Sequence, residues 1–393
     1  MKEQAHDPRA RLRAEELDFV PAWLIRRSFN RVTPLRDGIE AYPAMLDAIR
    51  GAKRTVLLET YTLEDDFVGR AFREALLERR EAGVTVRVMY DAVGSFDLPD
   101  AFVESLREGG IHTLEFNPVA PWRARFGLNR RNHQKSLVVD DEIGFTGGLN
   151  VGAEYAPLEE GGGGWRDQAV CIEGPAVHDL ARNFHRTWVR AGGRVFPDPR
   201  MVRSRPSSEG FTSDVAIVSN FGLRTRSRMR LSAFRAIAKA KHRIDIWNAY
   251  FIPGILLRRA LKAAVRRGVE VRVIVPAVSD VAAVWWASRR LYTRMLKNGI
   301  RIFEWPERMM HAKSAVIDGI WTTVGSYNID SRSLEHNLEV GAIVLDRDVG
   351  ASMQEEFDHD VALCREVDLA EWKKRSRWHR FVEWFFYQFR YWL

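Results

Sequence analysis

Two stretches of this chain, HQKSLVVDDEIGFTGGLN (133–150) and HAKSAVIDGIWTTVGSYN (311–328), are versions of one pattern. Each begins with a histidine, has a lysine two residues later, and reaches an aspartate before a turn that contains glycine and asparagine. The segments SLVVD and SAVID are short apolar runs with β-branched residues, which predicts strands. Residues two apart on a strand point to the same side. The pattern therefore predicts two equivalent pairs of imidazole and ammonium groups.

The similarity extends well beyond the two motifs. AIRGAKRTVLLETY (48–61) corresponds to AIAKAKHRIDIWNAY (236–250), and GVTVRVMYDAVGS (83–95) corresponds to GVEVRVIVPAVSD (268–280). Each half reads as helix, strand, helix, strand, helix, strand, which favours a largely parallel sheet covered by helices. We therefore predict an α/β protein of two tandem domains, each with a mixed, mostly parallel sheet flanked by helices.

The composition fits two domains of nearly 200 residues each, since the chain has 393 residues and 46% hydrophobic content. Proposed boundaries follow the repeat. They are an N-terminal basic and apolar extension (1–36), a first domain (37–205, motif region 128–154), a second domain (206–370, motif region 306–332) and a C-terminal helix (371–393). RMVRSRPSSEG (200–210) is the best candidate for a linker, because it is rich in proline and serine and lacks an apolar period.

Two cysteines, Cys171 and Cys364, give neither a disulfide framework nor a metal-binding spacing, so we expect a reducing compartment. The N-terminal residues are polar and lack the apolar centre of a signal peptide. No apolar run is long enough for a transmembrane helix. The net charge of +8 indicates an anionic partner without specifying which one.

The paired motifs have the residues that phosphodiester transfer requires. One neutral imidazole attacks phosphorus and forms a phosphohistidine, while the other, protonated, donates to the leaving alkoxide. The candidate catalytic residues are His133, Lys135, Asp140, His311, Lys313 and Asp318. The lysines, with Asn150 and Asn328, would neutralise the phosphate oxygens. We expect neither a metal nor another cofactor, and we interpret Asp140 and Asp318 as residues that fix the turn after each strand.

This duplicated motif resembles the signature of the phospholipase D superfamily, over roughly residues 37–365. The resemblance implies a bilobal, pseudo-twofold fold in which each half contributes one motif to a shared site. It also implies that a carboxylate downstream of each motif orients a histidine, and the matching positions are Asp167 and Glu339. The family usually assigns the nucleophile to the first-half histidine, which is His133 here.

Within the superfamily, the stretches NHQKSLVVDDEIGFTGGLN, WRDQAVCIEGPAV and GSYNIDSRSLEHNLEV look like bacterial cardiolipin synthases of the short type without N-terminal transmembrane helices. The resemblance implies a phosphatidyl transfer between two phosphatidylglycerol molecules, with phosphatidylethanolamine as a possible donor. A hydrolytic phospholipase D and a metal-independent nuclease are the alternatives. A non-enzymatic membrane-binding protein is a further one, disfavoured by two intact motifs. We expect anionic phospholipid partners and no nucleic acid; the oligomeric state stays open.

The C-terminal segment indicates where the protein works. Its aromatic residues repeat at intervals of three and four, so they share one helical face, and residues 372–393 carry a net charge of +5. A basic, aromatic amphipathic helix is typical of a segment in a membrane interface. We expect a peripheral protein on the cytoplasmic face of a bacterial cell membrane. The alternative is a terminal helix docked on the core. The face consists of Trp378, Phe381, Phe385, Phe389 and Trp392.

The helical segment DVAAVWWASRRLYTRML (280–296) also mixes tryptophan with arginine. Trp285 and Trp286 would border an entrance for acyl chains, or else belong to an amphipathic core helix.

Overall fold

The computed structural model describes residues 12, 14–119, 129–197, 211–221, 227–306 and 308–392. The linker candidate at 200–210 and most of the boundary between the proposed domains lie outside these residues. The first half consists, in order, of α1 (Ala14–Leu17), β1 (Arg27–Arg36), α2 (Asp37–Gly51), β2 (Thr55–Thr60), α3 (Phe67–Glu81), β3 (Thr85–Asp91), α4 (Asp100–Glu108), β4 (His112–Phe116), β5 (Ser136–Val139), β6 (Ile143–Gly147), β7 (Gln168–Glu173) and α5 (Ala176–Arg190).

The second half repeats this order and then adds a C-terminal extension. Its elements are β8 (Ser213–Ser219), α6 (Arg228–Lys239), β9 (Arg243–Asn248), α7 (Ile255–Arg266), β10 (Glu270–Pro276), α8 (Ala282–Lys297), β11 (Arg301–Trp305), β12 (Lys313–Ile317), β13 (Trp321–Gly325), α9 (Ser331–Glu335), β14 (Val340–Leu345), α10 (Arg347–Leu363), β15 (Arg365–Glu366), α11 (Leu369–Lys373) and α12 (Arg377–Gln388).

The two halves share one continuous sheet, ordered β15-β11-β10-β9-β12-β13-β14-β8-β1-β7-β6-β5-β2-β3-β4. The order on one side of the central β8–β1 pair mirrors the order on the other, apart from the edge strand β15. Strand β1 is therefore the counterpart of β8. It pairs with β7 of its own half and with β8 of the other. Residues 27–36, which the sequence places in the N-terminal extension, thus belong to the sheet.

The sheet is mixed, as predicted, but it is not mostly parallel. Among the described strands, four pairs are parallel, namely β2–β3, β3–β4, β9–β10 and β10–β11. The other ten pairs are antiparallel. Two of the antiparallel pairs, β5–β6 and β12–β13, have a local cause. Each motif strand continues into its neighbour through a tight turn at Asp140–Asp141 or Asp318–Gly319, and such short connections join only antiparallel strands.

Helices cover both faces of the sheet. Helices α5 and α10 lie on one face and contribute to a core that draws on both halves, with Phe184, Trp247, Met310 and Phe357 fully buried in it. The opposite face has two separate cores. The first is built on α2, α3 and α4, and the second on α6, α7 and α8. The shared core on the α5/α10 face holds the halves together.

The C-terminal helix α12 packs along α8. Its inner side carries Glu383, which is 1% exposed and accepts hydrogen bonds of 3.0 Å from Nε and Nη2 of Arg375. The Arg375 guanidinium in turn lies 3.5 Å from the centre of the Trp372 ring. The predicted aromatic face points away from the protein, and all five of its members are exposed. The helix is therefore docked through one side and presents aromatic rings on the other.

Candidate active site

The two motif histidines lie where the halves meet, and each is fixed by backbone of the other half. The N–H of His133 donates to the carbonyl of Leu338 (2.9 Å), and the N–H of Leu338 donates back to Arg131 (2.8 Å). The same exchange fixes the second motif. The N–H of His311 donates to the Arg166 carbonyl (2.7 Å), and the N–H of Arg166 donates to Met309 (3.0 Å). Neither half can position its own histidine alone.

The side-chain partners also cross between the halves. Nδ1 of His133 lies 3.0 and 3.1 Å from the carboxyl oxygens of Glu339, and Nδ1 of His311 lies 2.7 Å from Oδ2 of Asp167. The pKa of Asp167 lies below its usual value, and an ionised carboxylate only accepts hydrogen bonds, so Nδ1–H of His311 is the donor. In both pairs the carboxyl group occupies Nδ1, which leaves Nε2 for chemistry. Asp167 and Glu339, predicted as orienting acids, therefore contact the histidine of the opposite half.

The two lysines are buried beside their histidines. Nζ of Lys135 donates to the backbone carbonyl of His133 (2.9 Å), and Nζ of Lys313 donates to that of His311. Burial lowers the pKa of Lys135 to about 7 and that of Lys313 to about 8, and nearby carboxylates partly offset this. The pKa of His133 falls well below its usual value, because burial is reinforced by the charges of Lys135 and Lys313. The lysines of both motifs thus act on the same histidine.

The two histidine–carboxyl pairs are not electrostatically equivalent. Burial raises the pKa of Glu339 to about 8, although Lys135 and a hydrogen bond from Ser326 oppose the rise. Burial also opposes ionisation of Asp167, but Lys313 and the His311 hydrogen bond outweigh it, so the Asp167 pKa lies below its usual value. Asp167 is the more fully ionised of the two acids, so it stabilises the imidazolium form of His311 more than Glu339 stabilises that of His133. Burial and the charge of Lys313 lower the pKa of His311 as well, but Asp167 opposes that fall. Of the two histidines, His311 is therefore the one better suited to carry the proton.

Aromatic rings surround both imidazoles. The Tyr61 ring centre lies 5.0 Å from that of His133, and Tyr155, Trp165 and Tyr250 lie 5.6, 5.7 and 6.4 Å from that of His311. These rings exclude water from the histidines and explain the low dielectric around them. The motif search did not single out any of the four. Tyr61 and Tyr250 end the matching stretches LLETY and IWNAY, so the repeat itself contained a signal for them.

A buried carboxyl, Glu59 on β2, lies beneath the first motif. It accepts hydrogen bonds from Asn132 (2.8 Å) and Ser136 (3.2 Å), the residues on either side of the His133–Lys135 segment, and burial raises its pKa to about 7. Glu59 lies outside both motif stretches, and no pattern in the sequence indicated it.

Asn150 and Asn328, predicted to contact phosphate, are both buried. The Asn150 side chain is already engaged, because Nδ2 donates to the Tyr155 hydroxyl (2.8 Å) and Oδ1 accepts from the N–H of Thr62 (3.2 Å). The side-chain oxygen of Asn328 has no hydrogen-bond partner among the described residues.

Asp140 and Asp318 lie apart from the cluster, in contrast to their prediction as catalytic residues. Each lies at the far end of its motif strand from the histidine, in a left-handed conformation (φ 56° and 52°). Three consecutive backbone N–H groups donate to each carboxylate, those of residues 53–55 to Asp140 and those of 241–243 to Asp318. Their role is to tie the turn to the preceding helix–strand connection, as the sequence analysis inferred.

Comparison with known proteins shows the family of the chain. A family model described as "Cardiolipin synthase, PLD-like domain" matches residues 45–188 and 234–361. The chain belongs to this family. The resemblance drawn from the two motifs is thereby confirmed.

Relatives that are named cardiolipin synthases match most of the length of this chain. The chain is 32% identical over 349 residues to cardiolipin synthase 2 of Bacillus anthracis. The aligned region covers 89% of this chain and 68% of that protein. The chain is 34% identical over 351 residues to cardiolipin synthase A of Pseudomonas syringae, 89% of this chain and 72% of the relative.

Solved structures show the same fold at low identity. The phosphatidylserine synthase of Haemophilus influenzae matches with a TM-score of 0.73 over 93% of this chain and 94% of that one, at 12% identity. The polyphosphate kinase of Porphyromonas gingivalis matches with a TM-score of 0.54 over 84% of this chain and 50% of that one, at 13% identity. These likenesses confirm the predicted bilobal α/β fold.

Proposed function

We propose that this protein is a cardiolipin synthase that transfers the phosphatidyl group of one phosphatidylglycerol to another and releases glycerol. The observation that carries the proposal is the pair of buried histidines, each held by a carboxyl group of the opposite half, in a chain whose relatives are named cardiolipin synthases. The exchange replaces one phosphodiester bond with another, so it requires no nucleotide.

In the first step, Nε2 of His133 attacks the phosphorus of a phosphatidylglycerol, and the bond from phosphorus to the glycerol oxygen breaks. His311 donates its proton to that oxygen, and the phosphatidyl group stays on His133. The neutral His133 and the Asp167-supported His311 match these opposite roles. Lys135 and Lys313 neutralise the non-bridging oxygens as charge builds up.

In the second step, the hydroxyl group of another phosphatidylglycerol takes the place of the glycerol. The now neutral His311 removes the hydroxyl proton, the oxygen attacks phosphorus, and the bond to His133 breaks. This step releases cardiolipin, regenerates neutral His133 and leaves the proton on His311. Phosphatidylethanolamine would serve as a donor through the same steps, with ethanolamine as the leaving alcohol.

We also propose that the protein acts on the cytoplasmic face of a bacterial cell membrane, bound peripherally through α12. The outward face of this helix carries Trp378, which is 69% exposed, and four further exposed aromatic residues. Arg377 and Arg380 on the same helix are also exposed and suit anionic headgroups. Among the described residues, no helix has both the length and the apolar character to cross a bilayer.

Separation of the lipid products from labelled phosphatidylglycerol tests the chemistry. The wild-type protein should make cardiolipin and glycerol, and neither His133→Ala nor His311→Ala should complete turnover. A labelled phosphatidyl-enzyme should be trappable only in proteins that keep His133. Phosphatidic acid as the sole product would instead indicate a hydrolytic phospholipase D. Substantial activity in either single variant would contradict the shared site.

A further inference from the structure

Two equivalent loops border the histidines. The loop after β3 packs on Tyr61, since Ser95 Oγ donates to the Tyr61 carbonyl (3.2 Å), and Tyr61 contacts His133. The loop after β10 packs on Tyr250, whose hydroxyl donates to Asp280 (2.7 Å) and whose ring faces His311. Phe96 directly follows Ser95 in the first loop, and Val281 directly follows Asp280 in the second. These two loops therefore form the two sides of the opening to the active site. We call the opening the mouth and the two sides its lips.

Both lips expose apolar side chains, although such residues gain nothing from contact with water. Phe96 is 76% exposed on the first-half lip, and Val278 is 54% exposed on the second. The first turn of α7, which follows the neighbouring strand β9, adds exposed Ile255 and Leu256. We call Ile255, Leu256, Val278 and Val281 the second-half lip.

The charges around the two lips differ. Phe96 is followed by the exposed acids Asp97 and Asp100, which an anionic surface repels. The second-half lip contains one exposed acid, Asp280, which accepts the Tyr250 hydroxyl, and exposed Arg259 lies one turn along α7 from Ile255. These two charges offset each other, whereas both charges beside Phe96 are negative. The second-half lip is therefore the side that anionic lipid favours.

The second-half lip is also continuous with the aromatic helix. The ring of Trp286, one turn into α8, lies 5.7 Å from that of His379 on α12. Further along α12, Tyr387 interacts with Arg258, in the first turn of α7. Helix α12 thus crosses the ends of α7 and α8 that are nearest to the mouth, and its exposed rings lie beside the lip.

We propose that the second-half lip and the outward face of α12 form one surface that inserts into the interface of an anionic phospholipid bilayer, with the mouth of the site turned towards the lipid. The inference rests on the proposed function and deepens it. Such an orientation lets the phosphate of a lipid reach the histidines while its acyl chains remain among neighbouring lipids. The hydrophobic contact at the mouth then brings lipid substrate to the site, and the aromatic helix orients the protein as well as attaching it to the membrane.

Vesicle flotation with aspartate substitutions tests the surface. In vesicles of phosphatidylglycerol and phosphatidylcholine, the Ile255→Asp/Val278→Asp protein should bind at least about tenfold more weakly than wild type. Val195→Asp is the matched control. Val195 is 75% exposed, next to Phe196, whose ring stacks on Arg87 near the start of β3 and so at the end of the sheet away from the mouth. This control should bind like wild type, and thermal unfolding should show that both variants are folded.

Turnover of two substrate forms separates the inference from the chemistry. The lip variant should lose turnover of vesicle lipid about as much as binding, and should keep turnover of a short-chain phosphatidylglycerol dispersed as monomers. Phe96→Asp should weaken vesicle binding less than about threefold. Wild-type binding by the lip variant, or an equal loss in Val195→Asp or Phe96→Asp, would overturn the proposed surface. A wild-type protein that binds vesicles but makes no cardiolipin would contradict the proposed function alone.

Discussion

At the scale of single residues, the site depends on close packing around the orienting acids. A Cβ added at Gly148 would lie 2.1 Å from Oδ1 of Asp167, far inside van der Waals contact. The glycine directly after β6 therefore leaves room for the carboxylate that holds His311.

Gly148→Ala should reduce kcat by roughly 10²-fold or more, because the displaced carboxylate no longer orients His311. The measurement is cardiolipin formation, with circular dichroism to show that the protein is folded. Gly51→Ala is the matched control, since a Cβ there meets nothing within 4 Å. A similar kcat in both variants would contradict this role of Gly148.

The buried lysines predict the pH dependence. With pKa values of about 7 for Lys135 and about 8 for Lys313, each ammonium group loses its proton as the pH rises through its pKa. The positive charge of the lysines that neutralises the phosphate oxygens is then lost, so kcat/KM should fall on the alkaline side, mostly between roughly pH 7 and 9. In Lys135→Arg the guanidinium keeps its charge, and the fall should begin at higher pH. A wild-type rate that still rises at pH 9 would contradict the assignment.

At the scale of elements, α12 is held by a buried ion pair and offers its other side to solvent. This combines the two sequence interpretations of the tail, a docked helix and a membrane-interface helix. Removing residues 372–393 would uncover α8 as well as remove the aromatic face, because Trp372 stacks on Tyr292 of that helix. Substitutions on the outward face therefore test membrane binding more cleanly than a truncation.

Glu383→Gln should loosen α12, because Arg375 loses its ionic partner in a largely buried position. The expected cost is about 1–3 kcal/mol, seen as faster hydrogen exchange across 377–388. Glu371→Gln is the control. Its pair with Lys374 is 70% exposed on both sides, so the change should stay below about 0.5 kcal/mol. Equal exchange rates in the two variants would show that the pair does not hold the helix.

At the scale of the whole molecule, the halves are joined by the shared sheet, the core beneath α5 and α10, and one buried arginine. Arg166 is 1% exposed and donates to Asp37 of the first half (3.0 Å), and to Glu356 (2.6 Å) and Asp360 (2.9 Å) of α10 in the second. It immediately precedes Asp167, so the same segment joins the halves and orients His311.

Arg166→Met should destabilise the protein by about 3–5 kcal/mol, because three carboxyl groups would lose their shared cation in a buried site. Urea unfolding measures the change. Arg70→Met is the control, because its partner Asp65 lies in the same half and the Arg70 side chain is 55% exposed; the loss should be under about 1 kcal/mol. If both variants unfold at the same urea concentration, Arg166 does not join the halves.

The chemistry and the repeat could be predicted from the amino-acid sequence alone. His133, Lys135, His311 and Lys313 were identifiable because a strand period and two matching copies fix which residue types occur together. The alternation of helices and strands predicted the α/β class, and the spacing of the aromatic residues predicted the face of α12.

The contacts that cross between the halves, by contrast, are set by tertiary packing. It pairs His133 with Glu339 and His311 with Asp167, places β1 at the centre of one sheet, makes most strand pairs antiparallel, and sets the apolar lip beside α12. Such contacts join residues that are far apart in the chain. Periodicity records the surroundings of a residue along its own element, and it contains no information on which distant element will pack against it.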